Sequence, residues 1–161
     1  MKPLLLSILV LLLSGCAAIG SPYTPAPSPP ENQSLVYIYR HNNFALGARD
    51  AYFYIDEINI ADLSRNGYTW FYAPAGKHVL EQKWPIDVSM FSKLETSVNW
   101  EPGKTYYYQF FTTTGDALPG HITLQWQLSE VAKIQAEREM METKLQPAFG
   151  APKLLQGGVT Q

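Results

Sequence analysis

His121-Ile122-Thr123-Leu124-Gln125-Trp126-Gln127-Leu128 alternates apolar and polar residues without a break. Ile122, Leu124, Trp126 and Leu128 share one face, and His121, Thr123, Gln125 and Gln127 share the other. A period of two over eight residues describes a strand with one side toward a core. Runs of the same kind recur toward the N-terminus at 34–40, 51–56, 58–63, 68–73, 77–84, 94–100 and 104–113, rich in β-branched and aromatic residues. Turn chemistry separates them: Asp56-Glu57, Arg65-Asn66-Gly67, Pro74-Ala75-Gly76 and Pro102-Gly103. Asn and Gly tolerate positive φ, and proline presets the first turn position. Pro85 ends a run because it cannot donate to a ladder. The segment 86–93 reads as a loop or bulge, and Gly115, Pro119 and Gly120 mark a further loop. Short strands at this spacing predict an all-β fold, an antiparallel β-sandwich or small barrel.

Beyond Leu128 the period changes. Ser129 is a candidate N-cap for one C-terminal α-helix running to about Lys144. Val131, Ile134, Met141 and Leu145 form its apolar stripe, interrupted by Arg138. Pro147 stops it, and Gly150, Pro152, Gly157 and Gly158 predict a flexible tail over 146–161.

The N-terminus has a different character. Lys2 is the only charge before Cys16, and 4–13 is almost wholly Leu, Ile and Val. A positive start, a short apolar core and a small-residue exit describe a secretory signal. The core is shorter than the roughly 20 residues a spanning helix needs. Leu13-Ser14-Gly15-Cys16 resembles the lipobox of bacterial lipoproteins. That resemblance implies cleavage between Gly15 and Cys16 and lipidation of Cys16, including N-acylation. Next, 16–33 carries Pro22, Pro25, Pro27, Pro29 and Pro30 and reads as a semi-rigid extended tether, rising about 3.1 Å per residue. The expected organisation is a signal peptide at 1–15, a lipidated tether at 16–33, a sandwich domain with its helix at 34–145, and the tail.

Composition sets the bounds. The chain has 161 residues, 46% hydrophobic and 16% charged, which suits one packed domain. With Lys2 gone, 11 basic side chains face 14 acidic ones. A net charge of -3 leaves no electrostatic footprint for nucleic acid. Cys16 is the only cysteine, so lipidating it leaves no thiol for a disulfide or a thiolate metal site.

Leu35-Val36-Tyr37-Ile38-Tyr39-Arg40, Asn66-Gly67-Tyr68, Pro74-Ala75-Gly76-Lys77-His78 and Pro102-Gly103-Lys104-Thr105-Tyr106-Tyr107 together resemble a family of small bacterial lipoproteins catalogued as domain of unknown function 2846. The resemblance covers about 34–128. It implies an envelope lipoprotein with an immunoglobulin- or transthyretin-like β domain, and it brings no catalytic residues. Glu57 stands where the family pattern offers glycine.

Chemistry is sparse. His41, His78 and His121 have no second histidine or cysteine at ligand spacing, and Asp56, Glu57 and Asp62 lack the pattern of a calcium loop. No phosphate loop or nucleophile elbow occurs. The reading is therefore non-enzymatic, with no cofactor and no metal. Arg40, His41, Asn42, Asn43, Arg49 and Asp50 make up the most polar loop, a candidate surface for an anion or sugar, with Arg40, His41, Arg49 and Asp50 its candidate binding residues. Aromatics occupy both faces of two strands, including Tyr72 and Tyr107, so the outer face calls for cover. The C-terminal helix is the simplest cover, and an exposed patch for a partner or glycan is the sharper option. The expected role is a structural or interaction module anchored to the membrane through lipidated Cys16, with an envelope protein as partner. The alternative is a periplasmic binder of a glycan or lipid. Ala17 is not the aspartate that retains lipoproteins at an inner membrane. In a two-membrane cell the expected location is therefore the outer membrane, facing the periplasm.

Overall fold

A computed structural model describes residues 17–43, 48–85, 93–118 and 121–157, with the side chains of 116–122 and 157 left aside. The lipobox, the middle of the 40–50 connection and nearly all of the 86–93 segment lie outside the described residues.

Among the described residues nine strands and two short helices follow in order: β1 Gln33–Arg40, β2 Ala51–Ile55, β3 Ile58–Leu63, β4 Gly67–Pro74, β5 Gly76–Lys83, β6 Leu94–Trp100, β7 Thr105–Leu118, β8 His121–Glu130, α1 Lys133–Met140, β9 Lys144–Leu145 and α2 Ala151–Gly157. They build two sheets, one ordered β8-β7-β1-β4-β9 and the other β3-β2-β5-β6. The expected all-β sandwich is present, but it is not wholly antiparallel. β1 pairs with β7 in parallel, and so does β4 with β9. These pairings join segments distant in sequence, and no hairpin turn announces them.

The core between the sheets follows from strand parity. Val36 and Ile38 of β1, Phe71 and Ala73 of β4, and Tyr108 and Phe110 of β7 point inward. Phe53 and Ile55 of β2, Ala61 and Leu63 of β3, and Leu80 of β5 meet them there, and Ile60 joins them out of step at the register shift between β2 and β3. Leu35, Tyr37 and Tyr39 point the other way and are also buried. β1 is apolar on both sides because both of its faces are covered. At the β2–β3 hairpin Asp56 (φ 47°) and Glu57 (φ 69°) both adopt the left-handed conformation. This is the type I′ pattern, formed without glycine.

Three sequence expectations change. Ser129 does not cap a helix, because β8 continues to pair with β7 through Ser129 and Glu130. α1 begins at Lys133, with Ala132 at its N-cap and no side-chain cap. Gly115 lies inside the long β7–β8 ladder rather than in a loop. Finally, 146–157 is fastened down. Gln146 Oε1 accepts from the Ser64 amide at 2.8 Å, the Gly150 amide donates to the Ile60 carbonyl at 3.1 Å, and Leu154 joins the core at 4% exposure. Gly150 permits this approach, since a Cβ there would run into the Asn59 carbonyl oxygen.

Candidate functional site

The outer face of the five-stranded sheet is the most elaborated surface. Its side chains are Leu35, Tyr37, Tyr39, Tyr68 and Tyr107, edged by Trp70 and Tyr72. Tyr37 and Tyr107 stack at 4.9 Å with 8° between their planes. The expected tether lies on top of them. Ala17 bridges to Arg65 and Pro22 to Lys144, so the chain enters along the sheet edge. Tyr23 sets its ring edge-on to Tyr68 at 5.4 Å and to Tyr37 at 6.3 Å. The Ala26 amide donates to the Tyr37 hydroxyl at 2.7 Å and the Thr24 amide to the Tyr68 hydroxyl at 3.3 Å. The Tyr72 hydroxyl donates to the Pro27 carbonyl at 3.2 Å.

The segment is a strap, and its composition suits that role. A backbone laid across a sheet face cannot leave amides unpaired. Proline supplies none, and the amides of Thr24 and Ala26 find tyrosine oxygens. Gly20 completes the fit, because a Cβ there would collide with the Leu145 carbonyl oxygen. Burial raises the Tyr23 and Tyr37 hydroxyls above their ordinary range, and it pushes Tyr107 up to about 12 with help from the Glu137 charge.

α1 covers the rest of this face. Ala136 and Met140 are its buried residues, one turn apart, facing the tyrosines. Glu139 pins it down. Its Oε2 accepts from the Tyr39 hydroxyl and from Gln109 Nε2, each at 2.6 Å, and lies 3.2 Å from His41 Nε2. Gln135 Nε2 donates to Oε1 at 3.2 Å. Burial alone would raise this carboxyl, but the hydrogen bonds from Tyr39 and Gln135 and the nearby His41 outweigh it and hold it below the usual carboxylate range. Of the expected helix stripe, Val131 and Leu145 pack against the tyrosine cluster from either side of α1, and the other two do not. Ile134 and Met141 point outward, at 83% and 71% exposure.

The sequence-selected residues do not converge on one surface. Arg40 shares the inward parity of Val36 and Ile38 and is 2% exposed. Its Nη1 donates to the carbonyls of Arg49 and Leu63, and its guanidinium stands 5.8 Å from the Trp84 ring and 5.9 Å from the Phe110 ring. Desolvation lowers it to about 10, against the opposing pull of Asp50. Asp50 accepts from Ser64 Oγ at 2.8 Å, and Arg49 is half-buried. His41 belongs to the Glu139 cluster on the opposite face. Tyr107 lies in the buried cluster beneath the strap and α1, and Tyr72 sits half-buried beside Pro27.

A different pair occupies a cleft on the four-stranded sheet. His78 Nδ1 lies 2.6 Å from Asp56 Oδ2, and its Nε2 lies 2.9 Å from the Pro74 carbonyl. The ring stacks on Trp100 at 4.7 Å. Asp56 Oδ1 also accepts from the Val79 amide at 2.8 Å. Asp56, Lys77, His78 and Ser97 border a cleft of about 430 Å³. With both nitrogens and the ring face engaged, His78 fastens the β2–β3 turn to β5. Among the described residues no three His, Cys, Asp or Glu side chains group as metal ligands, and no helix is long and apolar enough to cross a membrane.

A family model for proteins of unknown function, DUF2846, matches residues 30–120. The chain belongs to the DUF2846 family. No curated protein matches it. The match takes in β1 to β7, so both sheets are largely DUF2846 structure. The strap before residue 30, together with β8, α1, β9 and α2, lies outside the matched residues. In this DUF2846 member the strap and α1 cover the outer face of the shared sheet, β8 and β9 extend its two edges, and α2 packs Leu154 into the core between the sheets.

Reasoning from sequence missed the strap and α2. Tyr23, a large aromatic inside a run of prolines, was the available signal. A free spacer has no use for a ring that must be kept out of water.

Proposed function

We propose that this protein is a lipid-anchored, non-catalytic lipoprotein of the bacterial cell envelope, working as a structural or interaction module. In a two-membrane cell it faces the periplasm from the outer membrane. Cleavage between Gly15 and Cys16 and acylation of Cys16 would supply the anchor. Two or more acyl chains hold stably where one binds marginally, since each buried methylene contributes about 0.8 kcal/mol. The observation that carries the reading is the continuity of the chain. The signal-like run ends at Cys16, and the very next residue, Ala17, is already fixed to the domain at Arg65. The residue next to the lipidated terminus would thus be held against the domain.

The test is Cys16→Ser in the native host. The wild-type chain is expected to partition into detergent and to carry the mass of a diacylglyceryl and an N-acyl group. The variant is expected to remain unprocessed or soluble. A wild-type chain that stays in the aqueous phase, or whose mass lacks both groups, refutes the anchor.

A further inference from the structure

We infer that the outward side of the strap and α1 is a bilayer-contacting face, on which Ile19, Ile134 and Met141 rest against lipid headgroups. This rests on the lipidation of Cys16 proposed above. It adds that the domain lies flat on the membrane rather than hanging from a spacer.

The geometry of the anchor comes first. The Ala18 amide donates to the Arg65 carbonyl at 2.8 Å, and Ala17 bridges to the same residue. One residue of chain spans at most about 3.6 Å. Acyl chains on Cys16 therefore enter the bilayer within about one residue of the Arg65-Asn66 turn. The surface around that turn has to meet headgroups.

The chain that follows α1 converges on the same spot. Asn66 Nδ2 donates to the Glu142 carbonyl at 2.7 Å, the Lys144 amide to the Asn66 carbonyl at 3.0 Å, and the Leu145 amide to the Ser21 carbonyl at 2.8 Å. Met141 and Ile19 thus flank the anchor point, and Ile19 is 94% exposed. Ile134 lies seven residues before Met141, two turns back on the same side of α1. Arg138 lies between them and is exposed, and its apolar stem can lie along the surface while the guanidinium reaches phosphate. Lys133 and Glu137 pair at 3.8 Å on the same helix.

Ala136 and Met140 already satisfy the sheet side of α1, and its outward apolar residues Ile134 and Met141 stay exposed among the described residues. Three side chains would not hold a domain on a membrane alone. Beside acyl chains they set its orientation. The four-stranded sheet and the Asp56–His78 cleft then face away from the bilayer, where an envelope partner can reach them.

The test uses the full lipidated chain reconstituted in vesicles of phosphatidylethanolamine and phosphatidylglycerol. Ile134→Cys, Met141→Cys and Ser97→Cys are each labelled with an environment-sensitive fluorophore. Acylated Cys16 does not react, so each protein carries one label. Quenching by brominated lipid is expected to be severalfold stronger at 134 and 141 than at 97, which lies on the opposite sheet. Equal, weak quenching at all three positions, with acylation of Cys16 confirmed by mass, overturns the flat orientation and leaves the anchor standing. An unacylated chain overturns both. Shielding of 134 and 141 in detergent that depends on protein concentration assigns the face to a second copy and also overturns the inference.

Discussion

Two substitutions at Tyr23 should affect stability differently if the strap is part of the fold. The ring makes two edge-to-face contacts, with Tyr68 and Tyr37. Such pairs contribute about 0.5–1.5 kcal/mol each beyond burial. Truncating a fully buried aromatic to alanine costs about 3–5 kcal/mol. Tyr23 is half-buried, so Tyr23→Ala should cost about 2 kcal/mol. Its hydroxyl is a different matter. It is buried and has no hydrogen-bond partner among the described residues. An unpaired buried hydroxyl is a net cost, so Tyr23→Phe should be neutral or stabilising by up to about 1 kcal/mol. The assay is urea denaturation of the chain from Ala17 onward, reading the midpoint at constant slope. If both variants fall within about 0.3 kcal/mol of the parent, the strap is not packed and the reasoning fails.

Arg40→Ala should destabilise the domain by about 3 kcal/mol or more, because it leaves a cavity beside Trp84 and Phe110 and deprives the buried Leu63 carbonyl and the part-buried Arg49 carbonyl of a donor; thermal unfolding reads this. Leu154→Ala should cost about 2–3 kcal/mol, where a frayed tail would show no change; denaturant titration decides. Glu139 is held below the ordinary carboxylate range in the folded state. Its contribution is therefore fully present above the unfolded carboxyl value and is lost as pH falls through the depressed folded value. Glu139→Gln should flatten that part of an acid-unfolding profile, and an unchanged profile would show that the carboxylate does not hold α1.

The local part of the architecture was legible from residue order. The expected bounds of β3 and β6 are those observed, because alternation and turn residues are short-range signals. The aromatics on both faces of β4 and β7 correctly announced a covered outer face. What covers it was only half legible. α1 was expected there, but its phase was misread. Val131, Ile134, Met141 and Leu145 repeat at helical spacing, and Val131 and Leu145 do reach this face, yet within α1 the sheet selects Ala136, small enough for close approach, and Met140. Ser129 has the chemistry of a cap and was claimed instead by its ladder partner Gln109. Proline density in 16–33 suggested a spacer, since proline predicts extension; whether an extended chain is solvated or docked depends on tyrosines distant in sequence. Arg40 was readable from parity alone, sharing the face of Val36 and Ile38, but its charge drew attention to the loop.

The strap decides how close the domain stands to its anchor, and amide hydrogen exchange on the chain from Ala17 onward tests it most directly. The amides of Ala18, Thr24 and Ala26, bonded to Arg65, Tyr68 and Tyr37, should exchange at least about tenfold more slowly than an unstructured chain, ~1.4 kcal/mol of opening free energy. Exchange at the intrinsic rate at all three would make the segment a free spacer and detach the domain from the membrane surface.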